Sequence, residues 1–262
     1  MKTYQAYLLD LDGTLYRGKE VIPGALEFVR WLKDSGRDFL YFTNNSSRTP
    51  EQVAEKLRAF GFPAEPDQVM TSSIATARFL QEQLKGTAQS VYAIGEVGLI
   101  TALREAGFRF DEDRPDAVVV GIDRDFHYEK MKKACLAIRN GARFIGTNGD
   151  KALPTEEGLL PGNGSLCAAI ATATGVDPVF VGKPEPFMVH YALERLGSKP
   201  EETLVVGDNL MTDIQAGAVG GIDTLLVYTG VTTREQTAAS DIRPTYEVDN
   251  LLQWIQKEAA SR

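Results

Sequence analysis

Tyr7-Leu8-Leu9-Asp10-Leu11-Asp12-Gly13-Thr14-Leu15 decides the fold of this 262-residue chain. The stretch is apolar without a break as far as Leu9 and then abruptly acidic. A short run that does not alternate reads as a strand buried on both faces, as in a parallel sheet. Asp10 then falls at the strand's carboxyl end, where open α/β sheets place their ligands. Gly13 allows a sharp turn without a Cβ clash and leaves backbone N–H groups to face a phosphate, while Thr14 adds a hydroxyl. Asp-x-Asp alone carries little weight, because it also occurs in solvated turns and calcium loops.

Outward from this segment, strand-like and helix-like runs alternate. Ala25, Phe28, Val29 and Leu32 recur at helical spacing between Pro23-Gly24 and Gly36. Phe39-Leu40-Tyr41-Phe42 is a second strand that ends in Thr43-Asn44-Asn45-Ser46. Thr49-Pro50-Glu51 starts a helix with Val53, Leu57 and Phe60 on one face, and Ile74 to Leu84 reads as another. From about Thr87 the rhythm continues through strand candidates Val91 to Ile94, Ala117 to Gly121 and Arg143 to Ile145. Near Val179-Phe180-Val181 the chain is expected to return to the first sheet, continuing through Leu204-Val205-Val206 and Thr224 to Val227. This alternation predicts an α/β fold with a Rossmann-like parallel sheet core. The core would take residues 1–86 and 180–262, and 87–179 would be a large inserted α/β domain.

The net charge of −8, with no Lys/Arg run, argues against a nucleic-acid binder. It leaves small phosphate esters open, since charges more than about 8 Å away are screened at physiological salt and the local site decides. The two cysteines, Cys135 and Cys167, sit in apolar surroundings and read as reduced packing residues. No basic region followed by a long apolar stretch supports a signal peptide or a membrane span, so a cytoplasmic protein is expected.

Three further segments lie at or just beyond apolar strands. Thr43-Asn44 offers a hydroxyl and backbone amides for phosphate oxygens, or else a helix cap or Asx turn. Lys183, in Gly182-Lys183-Pro184, would neutralise an incoming phosphate, or else be solvated. Asp208 ends an apolar strand and supplies the hard oxygen that Mg²⁺ prefers. Asp213, five residues on, would hold a metal-bound water or orient a neighbour, or else serve as a first-turn acid favoured by the helix dipole.

Together, DLDGT at 10 to 14, TNN at 43 to 45, GKP at 182 to 184 and GDN-x-x-x-D at 207 to 213 resemble the four ordered motifs of the haloacid dehalogenase (HAD) superfamily. The long segment between the second and third resembles the α/β cap of its NagD and 4-nitrophenylphosphatase branch. The resemblance implies a HAD-like core, a cap that selects substrate, and a Mg²⁺-dependent phosphatase of small phosphate monoesters. It implies Asp10 as nucleophile, Asp12 as proton donor and acceptor, and Thr14 and Asp213 in support. Mg²⁺ would lie between the Asp10 carboxylate, the Asp12 backbone carbonyl and Asp208. Thr43, Asn44, Asn45, Lys183 and Asn209 would bind the phosphoryl group. Homodimerisation through the cap is common in the resembled family.

Within the cap, Asn148 and Asp150 would accept hydrogen bonds from a polyol or sugar substrate or form a polar turn, and in Pro161-Gly162-Asn163-Gly164-Ser165 the glycines would allow close approach to substrate, or Ser165 would cap a helix starting near Leu166. His127 and His190 have no partner spacing for metal or nucleophilic work and read as structural. A mutase or phosphotransferase of the same fold stands as the alternative. A non-catalytic phosphate-ester-binding module is disfavoured, because both Asp10 and Asp12 are present.

Overall fold

The computed structural model describes residues 2–84, 89–155 and 157–260. The chain forms two compact units. The first is built from residues up to Thr43, Glu51–Met70 and the chain from Lys183 onward; the second is Asn44–Pro50 with Thr71–Gly182. The expected boundary at 86/87 lies outside the described residues. The second unit also takes in Asn44–Pro50 and the helix after Thr71, stretches that the sequence reading left with the first.

Along the chain, β1 (Ala6–Leu9) leads through a hairpin of β2 (Tyr16–Arg17) and β3 (Glu20–Val21) into α1 (Ala25–Asp34) and β4 (Asp38–Thr43). Helix α2 (Pro50–Ala59), β5 (Val69–Thr71) and α3 (Ser72–Gln83) follow. Next come β6 (Ser90–Ile94), α4 (Val97–Glu105), β7 (Arg109–Phe110), β8 (Ala117–Val120), α5 (Tyr128–Arg139) and β9 (Arg143–Gly146). The hairpin β10 (Ala152–Thr155) and β11 (Gly158–Pro161), α6 (Asn163–Thr174) and β12 (Val179–Phe180) complete the second unit. The chain ends with α7 (Pro186–Leu196), β13 (Thr203–Gly207), a π-helical turn at Leu210–Ile214, α8 (Gln215–Gly220), β14 (Asp223–Val227), α9 (Arg234–Ala239), β15 (Tyr246–Val248) and α10 (Leu251–Ala259).

The first unit holds a six-stranded sheet in the order β15-β14-β13-β1-β4-β5. Strand β1 runs parallel to both neighbours, with Leu9 opposite Val206 on one side and Tyr41 on the other. Successive residues point to opposite faces. Tyr7, Leu9, Tyr41, Val206 and Val227 therefore join Phe28 of α1 and Trp254 of α10 in one apolar cluster, while Leu226 meets Leu210 and Ile214 in another. Burial of both faces is why β1 is apolar without alternation. The chain leaves β1 toward β4 and β5 and later builds β13, β14 and β15 on the opposite flank. The carboxyl ends of β1 and β13 therefore form the topological switch point, where open sheets of this kind bind ligands.

The second unit has its own five-stranded sheet, β12-β9-β8-β6-β7, with parallel neighbours throughout. Its core gathers Ile94, Val118, Val120, Ile138, Phe144, Cys167 and Ile170, with Cys135 packed against it; both cysteines are free, as expected. One expectation is corrected here. Val179 and Phe180 do not return to the first sheet; they pair with Ile145 and Gly146 as the edge of the second. Two apolar residues carry no periodicity from which to choose a sheet, so pairing and packing decide. Gly146 makes that packing possible, since a Cβ there would lie 2.5 Å from the Phe180 ring. Helix α6 starts at Asn163, not near Leu166, and the Ser165 hydroxyl donates to the Lys151 carbonyl at 2.7 Å. Among the described residues, no helix is long and apolar enough to cross a membrane.

Candidate active site

Asp10 is the first residue beyond β1. Its N–H donates to the Val206 carbonyl at 2.9 Å, which carries the ladder one residue past the strand and fixes Asp10 against β13. The chain then turns tightly. Leu15 N–H donates to Leu11 O at 2.8 Å and Gly13 N–H to Tyr16 O at 2.8 Å. Gly13 has φ +90°, and a Cβ there would lie 2.4 Å from Asp208 Oδ2, so a side chain is excluded twice. Its N–H, expected to face a phosphate, is used within the turn, as is that of Thr14, which donates to Leu11 O at 3.2 Å. The Thr14 hydroxyl lies 3.1 Å from Asp10 Oδ2 and 3.4 Å from Asp208 Oδ1, and its single proton serves one of them at a time.

Lys183 is only 2% exposed. Its ammonium donates to Asp10 Oδ1 at 2.7 Å, to Asp213 Oδ1 at 2.7 Å and to the Phe42 carbonyl at 2.9 Å, three acceptors for three N–H groups. Burial works against the charged form, but the Asp10 and Asp213 carboxylates outweigh it and hold the Lys183 pKa above its ordinary value. Asp213 spends its second oxygen on the Asn209 N–H at 3.1 Å and packs on Gly207, where a Cβ would come within 2.3 Å. Asp213 thus ties the Lys183 ammonium to the turn after β13.

Asp208 follows β13 and is gripped by the loop after β14. Its Oδ2 accepts from Val231 N–H at 2.6 Å and its carbonyl from Thr232 N–H at 3.2 Å. A Cβ on Gly230 would lie 1.8 Å from Asp208 Oδ2. The sequence reading missed this loop, whose only signal is the Gly230 turn close behind the apolar strand Thr224 to Val227. Thr43 is buried at the end of β4. Asn209 spends its side-chain oxygen capping the following turn, accepting from Met211 N–H at 2.9 Å. Asp12 is exposed, and its Oδ2 accepts from the Tyr16 hydroxyl at 3.3 Å.

Asn44 and Asn45 fall in the second unit. Asn44 Nδ2 contacts both Asp150 oxygens, at 3.3 and 3.2 Å, and its carbonyl accepts from Asn148 Nδ2 at 2.9 Å and Ser72 Oγ at 2.8 Å. Asn45 Oδ1 accepts from the Ser47 and Arg48 N–H groups, both at 3.0 Å, in an Asx turn. Asn148 Oδ1 accepts from the Asp150 N–H at 3.1 Å, the polar turn that is the second reading of these residues, and both side chains also hold the segment at 44.

One oxygen or more of Asp10, Asp208 and Asp213 lie within 4.8 Å of each other. Three carboxylates facing one ammonium leave an excess of negative charge. Burial, together with the neighbouring Asp10 and Asp213 carboxylates, pushes the Asp208 pKa well above the usual carboxylate range. Burial and Asp10 push Asp213 up to about 7. A compact set of hard oxygens with an excess of negative charge is what a divalent oxygen-seeking cation fits.

A doubly wound sheet with a lysine-clamped carboxylate beside a cation-sized acidic cluster at its switch point defines an enzyme built to handle an anionic group. Residues 7–109 match the haloacid dehalogenase-like hydrolase family and residues 180–254 the HAD-hydrolase-like family. The chain is 56% identical over 255 residues to the 5'-nucleotidase YutF of Bacillus subtilis, covering 97% of this chain and 99% of that one. It is 48% identical to an acid sugar phosphatase of Staphylococcus aureus, with 96% of each chain covered. The p-nitrophenyl phosphatase structure from Archaeoglobus fulgidus matches with a TM-score of 0.92 at 35% identity, covering 98% and 100% of the two chains. The chain belongs to the haloacid dehalogenase-like hydrolases, in the NagD-like, 4-nitrophenylphosphatase branch, and is a phosphoric monoester hydrolase.

Proposed function

We propose that the protein is a Mg²⁺-dependent phosphatase of small phosphate monoesters that works through a phosphorylated Asp10. The observation that carries this reading is the Asp10 carboxylate itself, held by Lys183 at 2.7 Å and placed beside Asp208 at the switch point. Asp10 and Asp208, with the Asp12 backbone carbonyl, would hold the cation, which supplies positive charge for the phosphoryl oxygens.

Asp10 attacks phosphorus in line, forming a new O–P bond as the ester P–O bond breaks. Asp12 gives its proton to the departing oxygen. Asp12 then takes a proton from water as that water attacks phosphorus, the Asp10–phosphorus bond breaks and inorganic phosphate leaves. Lys183 shields the nucleophile from the charge of the incoming phosphate, and Thr43 and Asn209 would bind its oxygens from the first unit. Asn209 would do so through its amide nitrogen, because its oxygen caps the turn. Asn44 and Asn45 are proposed as phosphate ligands on their motif alone. Selection of the leaving group is assigned to the second unit.

A panel of nucleoside monophosphates, sugar phosphates, pyridoxal phosphate and 4-nitrophenyl phosphate tests the reading. Release of free phosphate is expected with Mg²⁺ and not with EDTA, and Asp10→Asn should lower it by at least about 10³-fold. Full turnover in EDTA, or in the Asp10→Asn variant, would refute it. Phosphate found on an organic acceptor would make the enzyme a phosphotransferase.

A further inference from the structure

Asp12, the residue assigned to proton transfer, is exposed, so burial does not hold its carboxyl in place. The backbone brings a fixed partner to it. The turn from Leu11 ends in a bridge between Asp12 and Tyr16, closed by the Gly13-to-Tyr16 hydrogen bond at 2.8 Å. The Tyr16 hydroxyl then reaches Asp12 Oδ2 at 3.3 Å. That is long for an O–H···O pair, as catalytic hydrogen bonds often are before substrate binds. The ring has little freedom: Tyr16 is 4% exposed, its centroid lies 5.2 Å from that of Phe60, and the Lys56 ammonium sits 3.8 Å above its face. An aromatic donor held by α2 and its continuation is thus aimed at an exposed carboxylate.

We propose that Tyr16 is a positioning residue that fixes which oxygen of Asp12 carries the transferred proton. The proposal rests on the phosphatase reading above, in which Asp12 is the acid and base. With Oδ2 occupied as an acceptor, the proton of the acid form resides on Oδ1. In the first step the Asp12 Oδ1–H bond breaks as the leaving oxygen takes the proton and the ester P–O bond opens. In the second, Oδ1 takes a proton from the attacking water. The Tyr16 proton stays on Tyr16 throughout, so its effect is orientational.

This role has a signature that mere packing lacks. A 4-nitrophenolate departs without being protonated, whereas a sugar or alkyl alkoxide does not, so a misaligned acid penalises only the second kind of ester. Tyr16→Phe keeps the ring and removes the donor. With saturating Mg²⁺, kcat/KM for a sugar phosphate is expected to fall about tenfold or more, and that for 4-nitrophenyl phosphate by less than about threefold. Across a series of esters, log(kcat/KM) should then decline more steeply with leaving-group pKa than in the wild type. Equal losses on both ester types, or no loss on either, overturn the proposal. Thermal melting checks that the variant folds. If it does not, Lys56→Met, which loosens the ring but keeps its hydroxyl, should show the same bias at about two- to threefold, and its absence is equally fatal. A wild-type enzyme without Mg²⁺-dependent turnover would instead remove the phosphatase reading, and this inference with it.

Discussion

A lysine at 2% exposure keeps its charge only because acceptors replace the water it has lost, and at Lys183 two of the three, Asp10 and Asp213, are carboxylates that themselves need a cation, the third being the Phe42 carbonyl. Removing one partner from such a set leaves the others stranded. In Lys183→Met, Asp213 would face Asp10 and Asp208 with no positive charge among them, and an uncompensated buried charge typically costs about 3–5 kcal/mol. Denaturant unfolding of the metal-free variant should show a loss of that order. Its kcat/KM should fall by at least about 10²-fold, the cost of losing one preorganised donor to developing charge. Lys183→Arg is not expected to rescue it, since a planar fork cannot reproduce three converging donors around one nitrogen. Wild-type stability in both variants would mean that the carboxylates do not depend on this ammonium.

Asp208 is held chiefly by elements: β13 delivers it, and the loop behind β14 closes on it through Val231 N–H, with the Thr14 hydroxyl at 3.4 Å from its other oxygen. Gly230→Ala would put a Cβ 1.8 Å from Asp208 Oδ2, so either the loop or the carboxylate must move. Loss of activity by about tenfold or more is expected, with a raised Mg²⁺ requirement and a melting temperature lowered by only about 2–4 °C. An unchanged Mg²⁺ requirement would show that the loop does not set the carboxylate. The same elements show what the sequence could and could not disclose. Strand β1 and the residues after it were legible because a doubly buried strand must be apolar on both faces, and its acids therefore stand out. Asp208 and Lys183 could be placed in the same way, beyond strands. The grip of Gly230 and Val231 was hidden because it is made by a backbone N–H, which every residue but proline has, and by the absence of a side chain. Strand β12 was placed in the wrong sheet because two apolar residues fit either one, and Asn148 and Asp150 allowed two readings because a sequence shows neither their turn nor their contacts with Asn44.

At the scale of the whole molecule, the acidic cluster makes stability depend on pH in a direction that identifies it. Burial and the Asp10 carboxylate carry Asp213 up to about 7, and Asp208 is raised well above the usual range by burial and both neighbours. An aspartate in the unfolded chain titrates near about 3.9. Between those values the folded, metal-free protein holds protons that the unfolded chain has released. Stability contributed by Asp213 must then fall as pH rises from about 4 to about 7, by roughly 1 kcal/mol per pH unit, and Asp208 acts in the same direction. Surface carboxylates with lowered pKa, such as Asp111 beside backbone donors and Asp249 beside Gln253 and Arg234, act in the opposite sense. They do so whether or not a cation is bound, so they cancel in a difference. A divalent cation held by Asp10 and Asp208, close to Asp213, would favour the deprotonated forms and flatten the decline, adding about 2.7 kcal/mol at 100 times its Kd. Urea unfolding at several pH values from 4.5 to 7.5, with Mg²⁺ or with EDTA, measures that difference directly. It should widen with pH. A constant gap between the two curves, or none, would place the cation away from these three carboxylates.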